Sequence, residues 1–210
     1  MSEHGRVIVT IARQHGSDGR AVGIMLAKQL GLECYDRKLL QLAEKETGVS
    51  ASKFGRMDET TTSRLLPWST KKAYAGEVLG PDHPDYMKEE NLFNLQAKVI
   101  KNLAEKDGCV IIGRCADHIL RNKPNVVRVF LYAPDEYLVN SIIERDGLER
   151  EDAERAVEQI DKKRGDYYRF HTRKDWAEAH NYDLCIDSSR LTTEQCVDLI
   201  KAYIHMRGLK

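Results

Sequence analysis

The sequence predicts an α/β fold built on a five-stranded parallel sheet, and three observations carry this prediction. Its strand-like segments are continuous apolar runs, which is the pattern of strands buried on both faces beneath helices. Helical patterns separate these runs, so strand and helix alternate along the chain. The length of 210 residues suits one compact domain with a full hydrophobic core.

Four strands are clear and a fifth is weaker. Each clear strand is a run of β-branched and other apolar residues that turn residues bound on both sides. The clear strands are expected at 7–12, 109–113, 126–132 and 183–187, and the weaker one at 32–36. The sheet therefore needs segments from both halves of the chain.

Helices are predicted where apolar residues recur every three to four positions. They are expected at 19–30, at 89–107, after Pro134, and at 193–207. The second of these ends at Gly108, which we expect to be a left-handed cap. The last begins with Thr192 and Gln195 at the spacing of a capping box.

Two stretches interrupt this alternation. Residues 54–91 are polar and contain three of the five prolines, with Pro67 among them, which predicts a loop-rich insertion able to move. Residues 148–176 form a long, charged, helix-like stretch between the fourth and fifth strands. Within it, 161–174 has six basic and two acidic residues, and six minus two gives a local charge of +4.

Charge and hydropathy argue against several classes of function. With 33 Lys and Arg against 33 Asp and Glu, the formal net charge is zero, so no global basic field attracts nucleic acid or an anionic membrane. No run approaches the ~20 apolar residues of a membrane span, and the amino terminus lacks the apolar core of a signal peptide. We therefore expect a cytoplasmic protein without a nucleic acid or membrane partner.

The five cysteines are scattered and form no CxxC pair. This pattern indicates neither a disulfide framework nor a zinc site. Because free cysteine is among the most buried residue types, we expect buried, reduced thiols. No metal site made of protein ligands is predicted.

The turn RQHGSDGR, residues 13–20, joins the first strand to the first helix and is a candidate phosphate site. A helix that starts straight after a buried strand points its unpaired N–H groups and positive dipole end at the turn. Gly16 and Gly19 lie where the backbone must curl around a phosphate. Against GxxxxGK[ST], Arg20 replaces the lysine and Ala21 the hydroxyl residue. A phosphate-binding loop and an ordinary glycine-containing turn both stay open as interpretations.

Five blocks follow one another along the chain: TIARQHGSDGRAVGIMLAKQLGLECYDRKLL, VIIGRCADHIL, VFLYAPDEYLVNSIIERDG, IDKKRGDYYRFHT and YDLCIDSSRLT. Together they resemble the cytidylate kinase-like family, a branch of the P-loop nucleoside monophosphate kinases. The resemblance implies one domain, 1–210, with the three-layer P-loop kinase fold. It also implies a helical monophosphate-binding insertion at 37–95 and a basic lid at 146–175.

The resemblance assigns functional residues within these blocks. ATP would bind through its phosphates to Gly16, Ser17, Asp18, Gly19 and Arg20. The acceptor nucleotide would bind Asp36 and Arg37 after the second strand, and Arg114 and Asp117 in the GRCAD turn after the third. The catalytic cations would be Arg20, Arg164, Lys163 and Arg173.

The resemblance also implies Mg²⁺ as a cofactor beside ATP. Because Ala21 has no hydroxyl, Mg²⁺ would be held by the nucleotide, water and a carboxylate such as Asp18 or Asp117. Cys115 stands where relatives carry Gly and cytidylate kinases an Asp. The base of the acceptor is therefore left open.

Taken on their own, the same residues permit structural roles. Arg114 and Asp117 follow a buried strand at the edge where open α/β sheets bind ligands, or they form a local pair that caps the next helix. Asp36 orients an acceptor or caps the helix that follows it. The charged stretch 161–174 is a cationic lid or a solvated helix face.

Three hypotheses of function follow. The first is transfer of the γ-phosphoryl group of ATP to a small acceptor, most simply a nucleoside monophosphate such as CMP. The second is a nucleotide-binding pseudokinase or sensor, which the missing lysine and hydroxyl motivate. The third is a nucleic-acid-binding module built on the +4 segment, which the zero net charge disfavours. We expect Tyr167, Tyr168, Phe170 and Trp176 to pack against the core rather than stack on bases.

Overall fold

A computed structural model of the chain describes residues 6–60 and 78–210. The strands of this part are β1 Ile8–Arg13, β2 Glu33–Tyr35, β3 Cys109–Ile112, β4 Val126–Tyr132 and β5 Leu184–Asp187. Its α-helices are α1 Gly19–Leu30, α2 Arg37–Thr47, α3 Ala51–Thr60, α4 Glu89–Lys106, α5 Ala116–Ile119, α6 Asp135–Asp146, α7 Arg150–Thr172 and α8 Thr193–Met206.

The five strands form one parallel sheet in the order β2-β3-β1-β4-β5, which confirms the predicted sheet. β1 is central, and its Ile11 is in register with Ile112 of β3 and Val129 of β4. Because the strands are parallel, their carboxyl ends share one edge. The turns after β1 and β3 therefore lie side by side.

Helices cover both faces of the sheet, so the fold has three layers. Both faces of β1 are buried, with Ile8 in one apolar cluster and Val9 and Ile11 in another. One cluster joins the sheet to α1 and α8, with Val22, Leu26, Val197 and Ile200 at its centre. The other joins it to α2, α4, α5 and α7, with Leu39, Phe93, Ile100 and Tyr168.

The long helix α7 packs through its aromatic residues. Tyr167 and Tyr168 are buried, which confirms that they pack against the core. After the helix ends, the half-buried Trp176 meets the ring of Phe130 edge-on, with ring centroids 5.3 Å apart. The carboxyl end of α7 is thereby fixed against α4, α5 and the sheet.

The capping box of Thr192 and Gln195 is confirmed at the start of α8. The prediction of a left-handed cap at Gly108 was wrong, because α4 ends at Lys106 and its C-cap residue, Asp107, is extended, with φ −165°. Gly108 is instead a place of close approach. A Cβ there would lie 2.6 Å from the carbonyl oxygen of Val7, so only glycine fits.

The loop-rich insertion expected at 54–91 is partly helical, since α3 extends to Thr60 and α4 begins at Glu89. Pro67 and the rest of 61–77 lie outside the described residues. Three of the cysteines are buried as expected, but Cys185 is exposed. In the described part of the chain, every helix is too short or too polar to cross a membrane.

Candidate functional site

The loop between β1 and α1 curls at the carboxyl edge of the sheet. Gly16 and Asp18 take left-handed conformations, with φ of 91° and 56°. The helix α1 then starts at Gly19 without a side-chain cap and without an acidic residue in its first turn. Its first N–H groups are therefore left for a ligand or water, which is the requirement for anion binding at a helix start.

Both glycines of this loop are required by close neighbours. A Cβ on Gly16 would lie 2.5 Å from the carbonyl oxygen of Leu138 on α6. A Cβ on Gly19 would lie 2.4 Å from the Cβ of Arg13. Between them, Ser17 is fully buried, and its hydroxyl donates to the carbonyl oxygen of Gln14 at 2.9 Å. Close packing at the two glycines therefore fixes the loop. The Ser17 hydroxyl stabilises it through an internal hydrogen bond and does not face the solvent.

A cavity of about 700 Å³ lies over the loop, a size that suits a nucleotide. Among the described residues, the lining includes five arginines and three aspartates: Arg13, Arg20, Arg37, Arg145, Arg164, Asp18, Asp36 and Asp146. The excess of positive charge, together with the open start of α1, favours a polyanionic ligand.

The cavity brings together seven of the residues that the sequence singled out: Gly16, Asp18, Gly19, Arg20, Asp36, Arg37 and Arg164. Ser17 lies beneath the loop, and Lys163 is exposed on α7. Arg173 caps the end of α7 in a left-handed conformation, with its guanidinium 6.0 Å from the ring of Phe170. Neither Lys163 nor Arg173 lines the cavity.

Arg20 and Asp36 form an ion pair at the cavity wall. The Arg20 Nε donates to Asp36 Oδ2 at 2.8 Å, and the Arg20 side chain is 64% exposed. Asp36 occupies the N-cap position of α2 but makes no capping hydrogen bond there. An exposed pair of this kind is worth only ~0–1 kcal/mol, so little holds the guanidinium away from a phosphate.

Arg164 connects α7 to the phosphate loop. Its Nη1 donates to the carbonyl oxygen of Arg13 at 3.0 Å and to Asp161 Oδ1 at 3.1 Å. The same carboxylate oxygen accepts the backbone N–H of His15 at 2.8 Å. The charged stretch 161–174 therefore has one arginine in the cavity, while Lys162 and Lys163 belong to a solvated face.

The environment of this connection changes the titration of two groups. Burial, followed by the charges of Arg164 and Arg145, lowers the pKa of His15 to about 4. Burial raises the pKa of Asp161, against the opposing charge of Arg164. His15 is consequently neutral at pH 7 and adds no positive charge to the cavity.

The GRCAD turn after β3 is occupied by internal contacts. Arg114 Nη1 donates to the carbonyl oxygen of Phe54 at 3.2 Å. Asp117 is buried and accepts a hydrogen bond from the hydroxyl of Tyr168 at 2.7 Å. Burial raises the pKa of Asp117 to about 6. Neither Arg114 nor Asp117 lines the cavity, so of the two carboxylates considered for Mg²⁺ only Asp18 does.

Three residues of this region were not singled out from the sequence: Arg13, Arg145 and Asp161. Arg13 carries a usable signal, because it is the last residue of the first strand, where ligands of parallel sheets bind. Arg145 and Asp161 carry none, since only tertiary packing brings the end of α6 and the middle of α7 to the loop.

A family model described as the cytidylate kinase-like family matches residues 8–190. A cytidylate kinase of Methanopyrus kandleri is 23% identical over 207 residues, covering 94% of this chain and 93% of that protein. The relative thus matches nearly end to end.

Solved structures match with similar completeness. An uncharacterized protein from Eubacterium ventriosum has a TM-score of 0.70 at 23% identity, covering 95% of this chain and 99% of that one. A shikimate kinase from Acinetobacter baumannii, in complex with shikimate, has a TM-score of 0.52 at 17% identity, covering 98% of this chain and 96% of that one. The fold is that of the P-loop kinases, and the chain belongs to the cytidylate kinase-like family.

Proposed function

We propose that this protein transfers the γ-phosphoryl group of ATP to a nucleoside monophosphate, with CMP as the first acceptor to test. The observation that carries the proposal is the cationic cavity over an uncapped helix start at the end of the central strand. The family and the cytidylate kinase of Methanopyrus kandleri support the reaction class and the choice of CMP.

The donor phosphates would bind the backbone between Gly16 and Ala21. The N–H groups of the first turn of α1 and the positive end of its dipole attract the phosphate oxygens. Arg20 would exchange Asp36 for a phosphate. A cation about 4 Å from a phosphate charge gains roughly 4 kcal/mol at an effective dielectric near 20.

The acceptor would lie toward Asp36 and Arg37, on the α2 side of the cavity. Arg37 supplies a cation for the acceptor phosphate, and Asp36 becomes available when Arg20 leaves it. Arg114 and Asp117 remain predicted acceptor residues by resemblance. In this arrangement they would act from outside the cavity, by fixing the turn before α5 and α5 itself against α3 and α7.

Arg164 would neutralise charge on the phosphoryl group in transit. Phosphoryl transfer depends mainly on positioning and on charge neutralisation, and a delivered arginine is worth roughly 10³–10⁵ in rate. No general base is needed, because the acceptor phosphate is already an anion. Helix α7 would then be the lid, with Lys163 and Arg173 as further predicted cations.

The donor set fits an Mg²⁺ ion that the nucleotide carries. Asp18 and Asp36 are carboxylates at the cavity, and Mg²⁺ commonly takes one or two carboxylates with phosphates and water. In the described residues, no cluster of three His, Cys, Asp or Glu would hold a metal alone. When bound, Mg²⁺ supplies charge neutralisation at the β- and γ-phosphates.

A coupled assay of ADP formation with a panel of nucleoside monophosphates tests the proposal. We expect turnover with at least one acceptor and its loss in Arg20→Ala and Arg164→Ala. Ala21 and the Arg20–Asp36 pair favour a nucleotide sensor as the second candidate. ATP binding in a thermal-shift measurement, combined with no transfer to any acceptor, would replace the kinase with that sensor.

A further inference from the structure

Arg13 occupies space that two glycines leave open for it. A Cβ on Gly19 would lie 2.4 Å from Arg13 Cβ and 2.8 Å from its Cγ. A Cβ on Gly113 would lie 2.2 Å from Arg13 Nη1. The two glycines follow different strands, and both lie beside Arg13 because β1 and β3 are neighbours. Gly19 therefore leaves room for the base of this side chain, and Gly113 leaves room for its guanidinium.

The position of Arg13 places its charge at the cavity. It is the last residue of the central strand, it lines the cavity, and its carbonyl oxygen accepts the hydrogen bond from Arg164. It is only partly exposed, whereas Arg20 is 64% exposed in its side chain. A guanidinium that packing already holds loses less conformational freedom on binding than a solvated one.

We propose that Arg13 binds phosphate oxygens of the nucleotide and that Gly19 and Gly113 exist in part to admit its side chain. The inference rests on the proposed function, because it requires a polyphosphate in the cavity. Arg20 stands at the usual lysine position, but its side chain is 64% exposed and must leave Asp36 before it can bind a phosphate. The planar guanidinium of Arg13 adds a pair of N–H donors whose geometry matches two phosphate oxygens.

Isothermal titration with inorganic tripolyphosphate tests this role without requiring catalysis. We expect Arg13→Gln to weaken binding about 10- to 100-fold, which is the range for losing a charge-assisted hydrogen bond. Arg13→Lys should fall between Arg13→Gln and the wild type, because it keeps the charge without the fork. Arg155→Gln is the control, since Arg155 is exposed on α7 and pairs with Asp152 of the same helix.

A second variant addresses the same contact while Arg13 is kept. In Gly113→Ala, the new Cβ would displace the guanidinium, and we expect weaker tripolyphosphate binding. Gly113 has φ 73°, so backbone strain accompanies the change. Gly48→Ala is the matched control, because Gly48 has the same φ and nothing within 4 Å of the added Cβ.

The outcomes separate the two proposals. Wild-type affinity in Arg13→Gln, or in Gly113→Ala if Arg13→Gln does not fold, would overturn the role of Arg13 and leave the kinase proposal standing. A wild-type protein that binds neither tripolyphosphate nor ATP would overturn the proposed function itself.

Discussion

Two neighbouring turns at the same edge of the sheet have similar backbones and different environments. The turn after β1 has left-handed residues at Gly16 and Asp18, and the turn after β3 has them at 113–115. Each leads straight into a helix. The first opens into a cavity of about 700 Å³, whereas the four residues of α5 that follow the second are all buried.

The difference comes from what α7 places over each turn. Over the second turn it places the ring of Tyr168, whose hydroxyl binds Asp117 and closes the space. Beside the first turn it places Arg164, which binds the loop from one side and leaves the cavity open. A turn at the end of a strand therefore opens into a cavity or is closed by packing, according to the residue that the neighbouring helix places over it.

The largest effect is expected at Arg164, where α7 contacts the turn after β1. Arg164→Gln removes the cation that would neutralise the transferred group, and we expect kcat to fall about 10³-fold. Steady-state kinetics with the best acceptor would measure it, with Arg155→Gln as a control that retains activity. A fall of less than tenfold would remove Arg164 from the catalytic set.

Gly16→Ala should destabilise the turn after β1 by disturbing its packing against α6. The new Cβ would meet the carbonyl oxygen of Leu138 at 2.5 Å, and φ 91° is unfavourable for alanine. We expect a loss of about 3 kcal/mol in the free energy of unfolding, from overpacking and strain together. Urea denaturation checks this, and Gly48→Ala, with strain alone, should lose about 1 kcal/mol. Equal losses would show that α6 does not support the loop.

Tyr168→Phe should destabilise the turn after β3 and leave the turn after β1 unchanged. It leaves the buried carboxylate of Asp117 without its hydroxyl donor, which costs about 2 kcal/mol in the free energy of unfolding. ATP affinity should stay within about twofold of the wild type, since neither residue lines the cavity. A large loss of ATP binding at unchanged stability would contradict the division between the turns.

The last prediction concerns pH, and its effect is the smallest when it is counted per pH unit. Burial raises the pKa of Asp117 to about 6, so its contribution to stability is present below the ordinary pKa of 3.8 and is lost as pH rises through 6. Asp117→Asn removes this dependence. The difference in unfolding free energy between wild type and variant should therefore change by about 1 kcal/mol per pH unit between pH 4 and 6.

Taking the difference is necessary because His15 and His118 act in the opposite direction. Burial lowers the pKa of both to about 4, so their contribution is present above 6.5 and is lost as pH falls. A wild-type curve alone mixes the two effects. A difference that stays flat from pH 4 to 6 would mean that Asp117 titrates normally.

Local pattern was enough to predict the sheet and most helices, because buried runs and capping spacing are properties of neighbouring residues. The prediction of a helix cap at Gly108 failed because a glycine is needed there for another reason. The backbone of Val7, from a distant segment, lies too close to leave room for a side chain. The same limit applies to the site. The turn around Gly16 and Gly19 is visible in sequence, but that Asp117 is buried depends on where Tyr168 falls, 51 residues later.

The hydrogen bonds from Arg164 and His15 to Asp161 have a consequence for observing the enzyme at work. With α7 in place, the His15 imidazole is partly buried and resists protonation down to pH about 4. Moving Arg164 away from the loop would remove one of the charges that lower this pKa, so the pKa of His15 would rise toward its ordinary value. An NMR titration of this single ring would therefore report whether α7 keeps Arg164 at the loop.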